Sequence, residues 1–256
     1  MVPKSLPIHV TDIPTNNSVG MTETSPASFM TFTDDPIEKR LLTVGKILPH
    51  MRAKVISADG TILPVGSRGE LCVAGFALQK GYWKNPEKTA EVMRVDEDGT
   101  LWMHTGDEAT IDSEGYCRIT GRIKDIIIRG LMPINYQLQI LMSALGGENI
   151  FPLEIEERLA QHPAVVQASV VGIPDNKYGE IVGAFLQPRL GEALPSTDSL
   201  RDFVRQTLGW HKAPQHIFWL KADEEFPKTG SGKIQKFSLK EQAVKRLRSP
   251  YRMAKL

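Results

Sequence analysis

The sequence has only two cysteines, Cys72 and Cys117, in 256 residues. Two thiols cannot build a disulfide framework or a multi-cysteine zinc site, and they predict a reducing compartment. No uninterrupted apolar run approaches the roughly 20 residues that a membrane helix needs, so a helical membrane protein is not expected. The first residues, MVPKSLPIHVTDIP, lack the unbroken apolar core of a secretory signal. Neither sign of charge is in excess: 31 basic against 30 acidic side chains give a net +1, whereas a nucleic-acid binder usually carries a basic surplus. No internal repeat is visible. What remains is 41% hydrophobic and 24% charged. That composition predicts a soluble globular chain of enzyme size, with one large domain or two ordinary ones.

Residues 1–19 show neither helical nor strand periodicity, and Pro3, Pro7 and Pro14 interrupt them, so a structureless leader is expected. From Leu41 to Gly121 the signals are short strands separated by turns. Residues 52–58, 69–74, 101–103 and 116–119 read as strands, with turns at Asp59-Gly60, Asp98-Gly99 and Glu114-Gly115; the spacing predicts a small antiparallel sheet or barrel. Residues 86–93 form the helical stretch of this part, with Asn85 as N-cap and Pro86 at the first position.

After Gly121 strands and helices alternate. Residues 152–161 have acids in the first turn and an apolar stripe of Leu153, Ile155 and Leu159, which predicts a helix. Residues 165–171, 181–187 and 217–220 read as strands, 198–208 as a helix capped by Ser196 or Thr197, and 239–247 as a basic helix. The predicted fold class is α+β: a β-rich part followed by a compact α+β module of about 110 residues, with the boundary at 122–124. Residues 131–146 carry no charge, where the chain average predicts about four in sixteen. They read as an insert, either a surface loop or a buried helix.

Four glycine- and hydroxyl-rich stretches could carry chemistry. In Gly20-Met21-Thr22-Glu23-Thr24-Ser25-Pro26 the glycine lets backbone approach a ligand, a hydroxyl can bond phosphate, and a carboxylate can hold Mg²⁺; the same residues also make an ordinary capped turn. His104-Thr105-Gly106-Asp107 follows a short predicted strand. A carboxylate at a strand end can take both hydroxyls of a ribose, or simply close a turn. Gly121-Arg122-Ile123-Lys124-Asp125 is a charge run at the boundary, either functional or a solvated linker. Pro227-Lys228-Thr229-Gly230-Ser231-Gly232-Lys233-Ile234 is superficially like a Walker loop, but no Ser or Thr follows Lys233 and no strand–loop–helix pattern surrounds it. A flexible glycine loop presenting one lysine to phosphate fits better.

In combination and in order, these stretches resemble the adenylate-forming (AMP-binding) superfamily, which includes acyl-CoA synthetases, luciferases and peptide-synthetase adenylation domains. Gly69-Glu70-Leu71, Gly75 and Gly81-Tyr82 add its GEL…G…GY motif, and Gly147-Glu148-Asn149-Ile150 continues the run after Lys124. The resemblance covers residues 20 to about 247 except 131–146, and is nearest to acyl-CoA synthetases of the medium-chain, fatty-acid type. It implies the β-rich remnant of a large adenylation domain (20–121), a hinge (122–124) and a C-terminal cap domain (125–250). It also implies ATP/AMP and Mg²⁺ as cofactors, with a carboxylic acid and CoA as co-substrates. Thr22 would contact nucleotide phosphates and Glu23 would bind Mg²⁺. Asp107 would hold the ribose with help from Arg122, and Lys124 would be the hinge. Gly147 would line the CoA tunnel, and Lys233 would be catalytic, reaching the acyl carboxylate and the α-phosphate.

The departures from that pattern shape the expectation. The family's Ser/Thr/Gly-rich phosphate loop, ending in Pro-Lys, does not occur before Gly20, and Val19 stands where an aromatic residue usually precedes the glycine. Two readings stand: an acid–CoA ligase represented by about its last half, or a non-catalytic fragment with weak nucleotide or CoA binding. The uncharged insert beside the proposed CoA tunnel reads as translated intron or a misjoined gene model. Ala254-Lys255-Leu256 resembles a Ser-Lys-Leu peroxisomal address, implying a peroxisomal import receptor as partner, with the cytoplasm as the alternative location.

Overall fold

The computed structural model describes residues 17–129, 148–221, 223–230 and 232–248. Two compact units divide between Ile123 and Lys124. Most of the expected leader, the uncharged insert and the Ala254-Lys255-Leu256 tail lie outside the described residues. No helix among the described residues is long and apolar enough to cross a membrane.

The first unit begins with a three-stranded antiparallel sheet of β1 (Ser18–Gly20), β2 (Ala27–Met30) and β3 (Lys46–Ile47), with helix α1 (Ile37–Leu42) between β2 and β3. Strand β1 corrects the expected leader, because residues 17–19 are bonded into the fold: Thr31 donates to the Asn17 carbonyl at 2.9 Å and Val19 pairs with Phe29. Strands of two to four residues are too short for alternation to show, so all three escaped the sequence.

A five-stranded antiparallel sheet follows. Its order is β4 (Met51–Ile56), β5 (Gly69–Gly75), β7 (Leu101–Ile111), β6 (Met93–Val95), with β8 (Cys117–Arg122) also on β7. Strand β7 has eleven residues, so β6 pairs with its first three and β8 with residues 107–111 along the same edge. The expected strand 101–103 is therefore only the start of β7. The three expected turns form as read: Gly60, Gly99 and Gly115 take φ of 90°, 76° and 86°, where only glycine is unstrained. Helix α2 (Pro86–Val92) is capped by Asn85, whose side chain accepts from the Lys88 amide at 3.0 Å.

Both faces of β5 are covered. Leu71 and Val73 join Phe29, Met103 and Cys117 in one core, against which Val19, Met21 and Ile47 of the small sheet pack. Cys72 and Ala74 face Ile56 and Trp102 on the other side. Burial pushes the Cys117 thiol up to about 12, so it is an inert packing group.

The second unit is a five-stranded sheet with helices on both faces. The order is β10 (Glu148–Ile150), β9 (Ile127–Arg129), β12 (Gly179–Pro188), β11 (Val165–Asp175), and β13 (His216–Trp219) pairs with β12 in parallel. Helices α3 (Pro152–Ala160) and α4 (Thr197–Leu208) pack on one face around Ile155, Leu159, Val182 and Leu200. Helix α5 (Lys236–Arg248) covers the other through Leu239 and Ala243 against Phe185 and Phe218. Ser196, not Thr197, caps α4, accepting from the Ser199 amide at 3.1 Å.

The apolar stripe of α3 differs from the expected one. Pro152, Ile155 and Leu159 are buried, while Leu153 is only half-buried. Positions 152, 155 and 159 fall on one side of a 3.6-residue helix, and 153 lies two residues from 155, off that side. Leu159→Ala is expected to cost about 2–5 kcal/mol, and Leu153→Ala about 1 kcal/mol or less. Urea unfolding of the two variants checks the assignment; equal losses would show the stripe to be wrong.

Candidate functional site

The first unit brings four of the sequence motifs into two arrangements. Residues Thr22–Thr24 form a single 3-10 turn closed by Ser25 in the left-handed region at φ 51°. The fully buried Thr24 holds it: its hydroxyl oxygen accepts from the Met21 amide at 3.2 Å and lies 3.0 Å from the Pro26 carbonyl. Thr22 is exposed. The role of Gly20 is corrected here. A Cβ on it would lie 1.8 Å from the Pro26 carbonyl oxygen, so the close approach that requires glycine is by the loop's own backbone.

Glu23 is tied to the GY motif 59 residues away. The Tyr82 hydroxyl donates to Glu23 Oε1 at 2.7 Å, and the Gln79 amide donates to the Glu23 carbonyl at 2.9 Å. Tyr82 is itself anchored to α2, its amide donating to Thr89 Oγ1 at 2.9 Å. Gly81 sits against the same threonine, since a Cβ there would meet Thr89 at 2.9 Å. Burial, then the Glu23 carboxylate, push the Tyr82 phenol up to about 12. No sequence signal linked Tyr82 to Glu23, because the contact is made only when α2 packs.

Asp107 lies in the middle of β7, not after a strand, and faces Arg122 directly across β8. Arg122 Nε is 2.5 Å from Asp107 Oδ1. Two irregularities place this pair. Between the pairs Glu70↔Glu108 and Cys72↔His104, one residue of β5 faces three of β7, so Thr105, Gly106 and Asp107 bulge. The bulge is pinned: the Thr105 hydroxyl donates to the Leu71 carbonyl at 2.8 Å, and the Gly106 amide donates to Glu70 Oε1 at 3.2 Å. Gly106 takes φ 68°. On the β8 side Thr120 is the extra residue, and its hydroxyl donates to Glu108. Asp107 and Arg122 thus stand at a kink with side chains 13% and 37% exposed.

Of the remaining candidates, Lys124 is exposed in the 3-10 turn Ile123–Asp125 at the unit break. Lys233 is exposed in the second unit. Its loop is closed as a tight hairpin: the Thr229 amide donates to the Lys233 carbonyl at 2.8 Å, and Lys228 bridges Ile234. Gly147 lies outside the described residues. Arg129 of the GRIKDIIIRG stretch was not singled out from sequence. It is 6% exposed, between the rings of Tyr178 at 4.6 Å and Trp210 at 4.7 Å, a cation–π stack that joins β9 to the β11–β12 hairpin.

Two family models match the segments that carry the acidic turn and the lysine hairpin. Residues 8–83 match "AMP-binding enzyme" and residues 154–233 match "AMP-binding enzyme C-terminal domain". The chain belongs to the AMP-binding enzymes. The first match starts at residue 8, ahead of residue 20, where the resemblance read from the sequence begins. Acyl-CoA ligase sidI of Aspergillus fumigatus is 55% identical over 89% of this chain and 37% of its own length. Mitochondrial medium-chain acyl-CoA ligase ACSF2 of Rattus norvegicus is 37% identical over 90% of this chain and 34% of its own. ATP-bound MatB from Rhodopseudomonas palustris matches in structure with a TM-score of 0.73 at 31% identity, over 89% of this chain and 40% of its own. The α+β fold is therefore part of an AMP-binding enzyme fold, and the chain spans a little over a third of the length of these ligases.

The Tyr82–Glu23 bond has a defined pH signature. A phenol raised from 10 to about 12 stabilises the fold fully below pH 10, and that contribution is lost as pH rises through about 12. Tyr82→Phe is expected to cost about 1 kcal/mol near neutrality. The gap between native and variant in urea unfolding should stay constant from about pH 6 to 9 and shrink above pH 10. A gap that widened above pH 10 would contradict the bond.

Proposed function

We propose that this chain carries the ribose-holding, metal-holding and lysine-presenting parts of an ATP-dependent acid–CoA ligase. The observation that supports it most is the Asp107–Arg122 pair, delivered to a kink by two strand irregularities. In the first half-reaction a carboxylate oxygen of the acid attacks the α-phosphorus of ATP and pyrophosphate leaves. In the second the CoA sulfur attacks the acyl carbonyl, a thioester forms and AMP leaves. Asp107 accepts from the ribose hydroxyls while Arg122 keeps its carboxylate oriented, and Thr22 contacts the phosphates. The Lys233 ammonium, exposed on a closed hairpin, neutralises charge on the acid and α-phosphate where repulsion would otherwise oppose attack.

Glu23 fits a Mg²⁺ ligand: its carboxylate is a hard oxygen donor, half-buried and oriented by the Tyr82 hydroxyl. The ion would neutralise phosphate charge there. Lys124, exposed at the unit break, suits a hinge between the half-reactions, and Gly147 is assigned to the CoA path. The acid is a fatty acid, medium-chain ligases being among the relatives. A second reading, weak nucleotide or CoA binding without catalysis, is favoured by the chain's spanning 37% of the length of sidI.

Pyrophosphate exchange with ATP and medium-chain acids separates the two readings. Activity falling about 10²-fold or more in Lys233→Ala and in Asp107→Ala supports the ligase. Exchange absent, with AMP binding retained and lost in Asp107→Ala, supports the second reading.

The location proposed is the peroxisome, through Ala254-Lys255-Leu256. These three residues appended to a fluorescent reporter should direct it to peroxisomes, and truncating them should release it. Diffuse cytosolic signal from the tagged reporter would reject the address.

A further inference from the structure

Glu70 and Cys72 are two residues apart on β5 and share one face of the strand. His104 on β7 is the direct cross-strand partner of Cys72. One donor atom from each residue lies within 4.8 Å of the other two. His104 Nδ1 is 3.1 Å from Glu70 Oε2 and 3.7 Å from Cys72 Sγ. None of the three is assigned a substrate contact above, although Glu70 also holds the Gly106 amide.

We propose that Glu70, Cys72 and His104 form a binding site for a borderline-soft divalent cation, with Zn²⁺ as the fitting ion. The two separations that His104 makes are those of edges of a tetrahedral site, and the sulfur and carboxylate oxygen lie within 4.8 Å of each other. Bond lengths of about 2.3 Å to sulfur and about 2.0–2.1 Å to nitrogen or oxygen place S and N about 3.6 Å apart and N and O about 3.4 Å apart. The separations in the protein match these within a few tenths of an ångström, so an ion enters with small side-chain shifts. A set of one thiolate, one imidazole and one carboxylate suits Zn²⁺ and excludes Mg²⁺ and Ca²⁺, which take oxygen ligands.

The surroundings suit an ion. Cys72 is fully buried beside Ile56, Ala74 and Trp102, while the His104 and Glu70 side chains are 14% and 24% exposed. Water can therefore supply the fourth ligand from the His104–Glu70 side. Two cations, Lys54 and Arg94, act on Cys72, and Lys54 is its cross-strand partner on β4. Of these, Lys54 is engaged elsewhere. It is occupied by Asp96 at 3.3 Å and lies over the Trp102 ring at 4.1 Å. The second Glu70 oxygen already accepts from the Gly106 amide, which orients the carboxylate.

Binding requires the Cys72 thiol proton to leave to solvent and the imidazole to present a bare Nδ1, with its proton on Nε2. Burial holds the thiol proton on, up to about 12, until a metal takes its place. The ion then bridges β5 and β7 beside the bulge that carries Asp107, so its occupancy stiffens that kink.

Titration of the whole chain with Co²⁺, a spectroscopic substitute for Zn²⁺, tests the site. One equivalent should produce tetrahedral d–d absorption and a thiolate-to-cobalt charge-transfer band, both bleached by Zn²⁺. Cys72→Ser should abolish the charge-transfer band, His104→Gln should weaken Co²⁺ binding at least tenfold, and Cys117→Ser should change neither. His104→Gln leaves the buried thiol in place, so it reports on the site even where Cys72→Ser perturbs the core; circular dichroism verifies both folds. No charge-transfer band in the native chain, or a band that survives Cys72→Ser, overturns the proposal. So does one that vanishes in Cys117→Ser.

Discussion

The mismatch between β5 and β7 is the constraint on which the first unit's chemistry depends. Where one residue of a strand faces three of its neighbour, the ladder cannot continue and the extra backbone must arch out of the sheet. That arch is stable here because its polar groups are answered. Thr105 reaches the Leu71 carbonyl and Glu70 receives the Gly106 amide, so the distortion leaves no buried donor orphaned at either position. Asp107 follows immediately and meets Arg122 across β8. The GEL motif and the TGD motif are thus the two halves of one device, with Glu70 holding the turn that aims Asp107.

The same economy appears at Glu23. Its own turn is closed by Thr24 and by the approach of Pro26 to Gly20, and its side chain is oriented from outside by Tyr82. A carboxylate left to rotate samples many orientations; a hydrogen bond from a half-buried phenol removes much of that freedom. Motifs 59 residues apart in the chain therefore describe a single carboxylate and its holder. In the second unit Arg129 plays a comparable structural part, locked between Tyr178 and Trp210.

How much of this was legible in the sequence depended on the range of the interaction. Asn85-Pro86 announced α2, and the glycines of the three acid–glycine turns announced positive φ, because each effect is settled within four residues. Ser196 and Thr197 are equally good caps in the sequence; the extended backbone of Ser196 and its bond from the Ser199 amide mark it as the cap. Strands β1 to β3 were illegible, since two to four residues hold too few alternations. The length of β7 was hidden by Gly106, which reads as a terminator yet serves as the pivot of a bulge inside the strand. In the α3 stripe Ile155 and Leu159 are buried as expected, and Pro152 takes the place of Leu153 because the run Pro-Leu-Glu-Ile offers two apolar residues at its start.

The sequence by itself determined the order of motifs, the family they belong to, the break near 122–124 and the residue types available for chemistry. Those follow from local spacing, which needs no partner. The tertiary structure decided which motif residues are spent on the fold itself. Thr24 is spent on closing its turn while Thr22 is exposed, Gly20 accommodates Pro26, and Tyr82 belongs to Glu23. It also brought Glu70, Cys72 and His104 to one point. Cross-strand register sets such meetings, and register is a property of paired strands that no single segment contains.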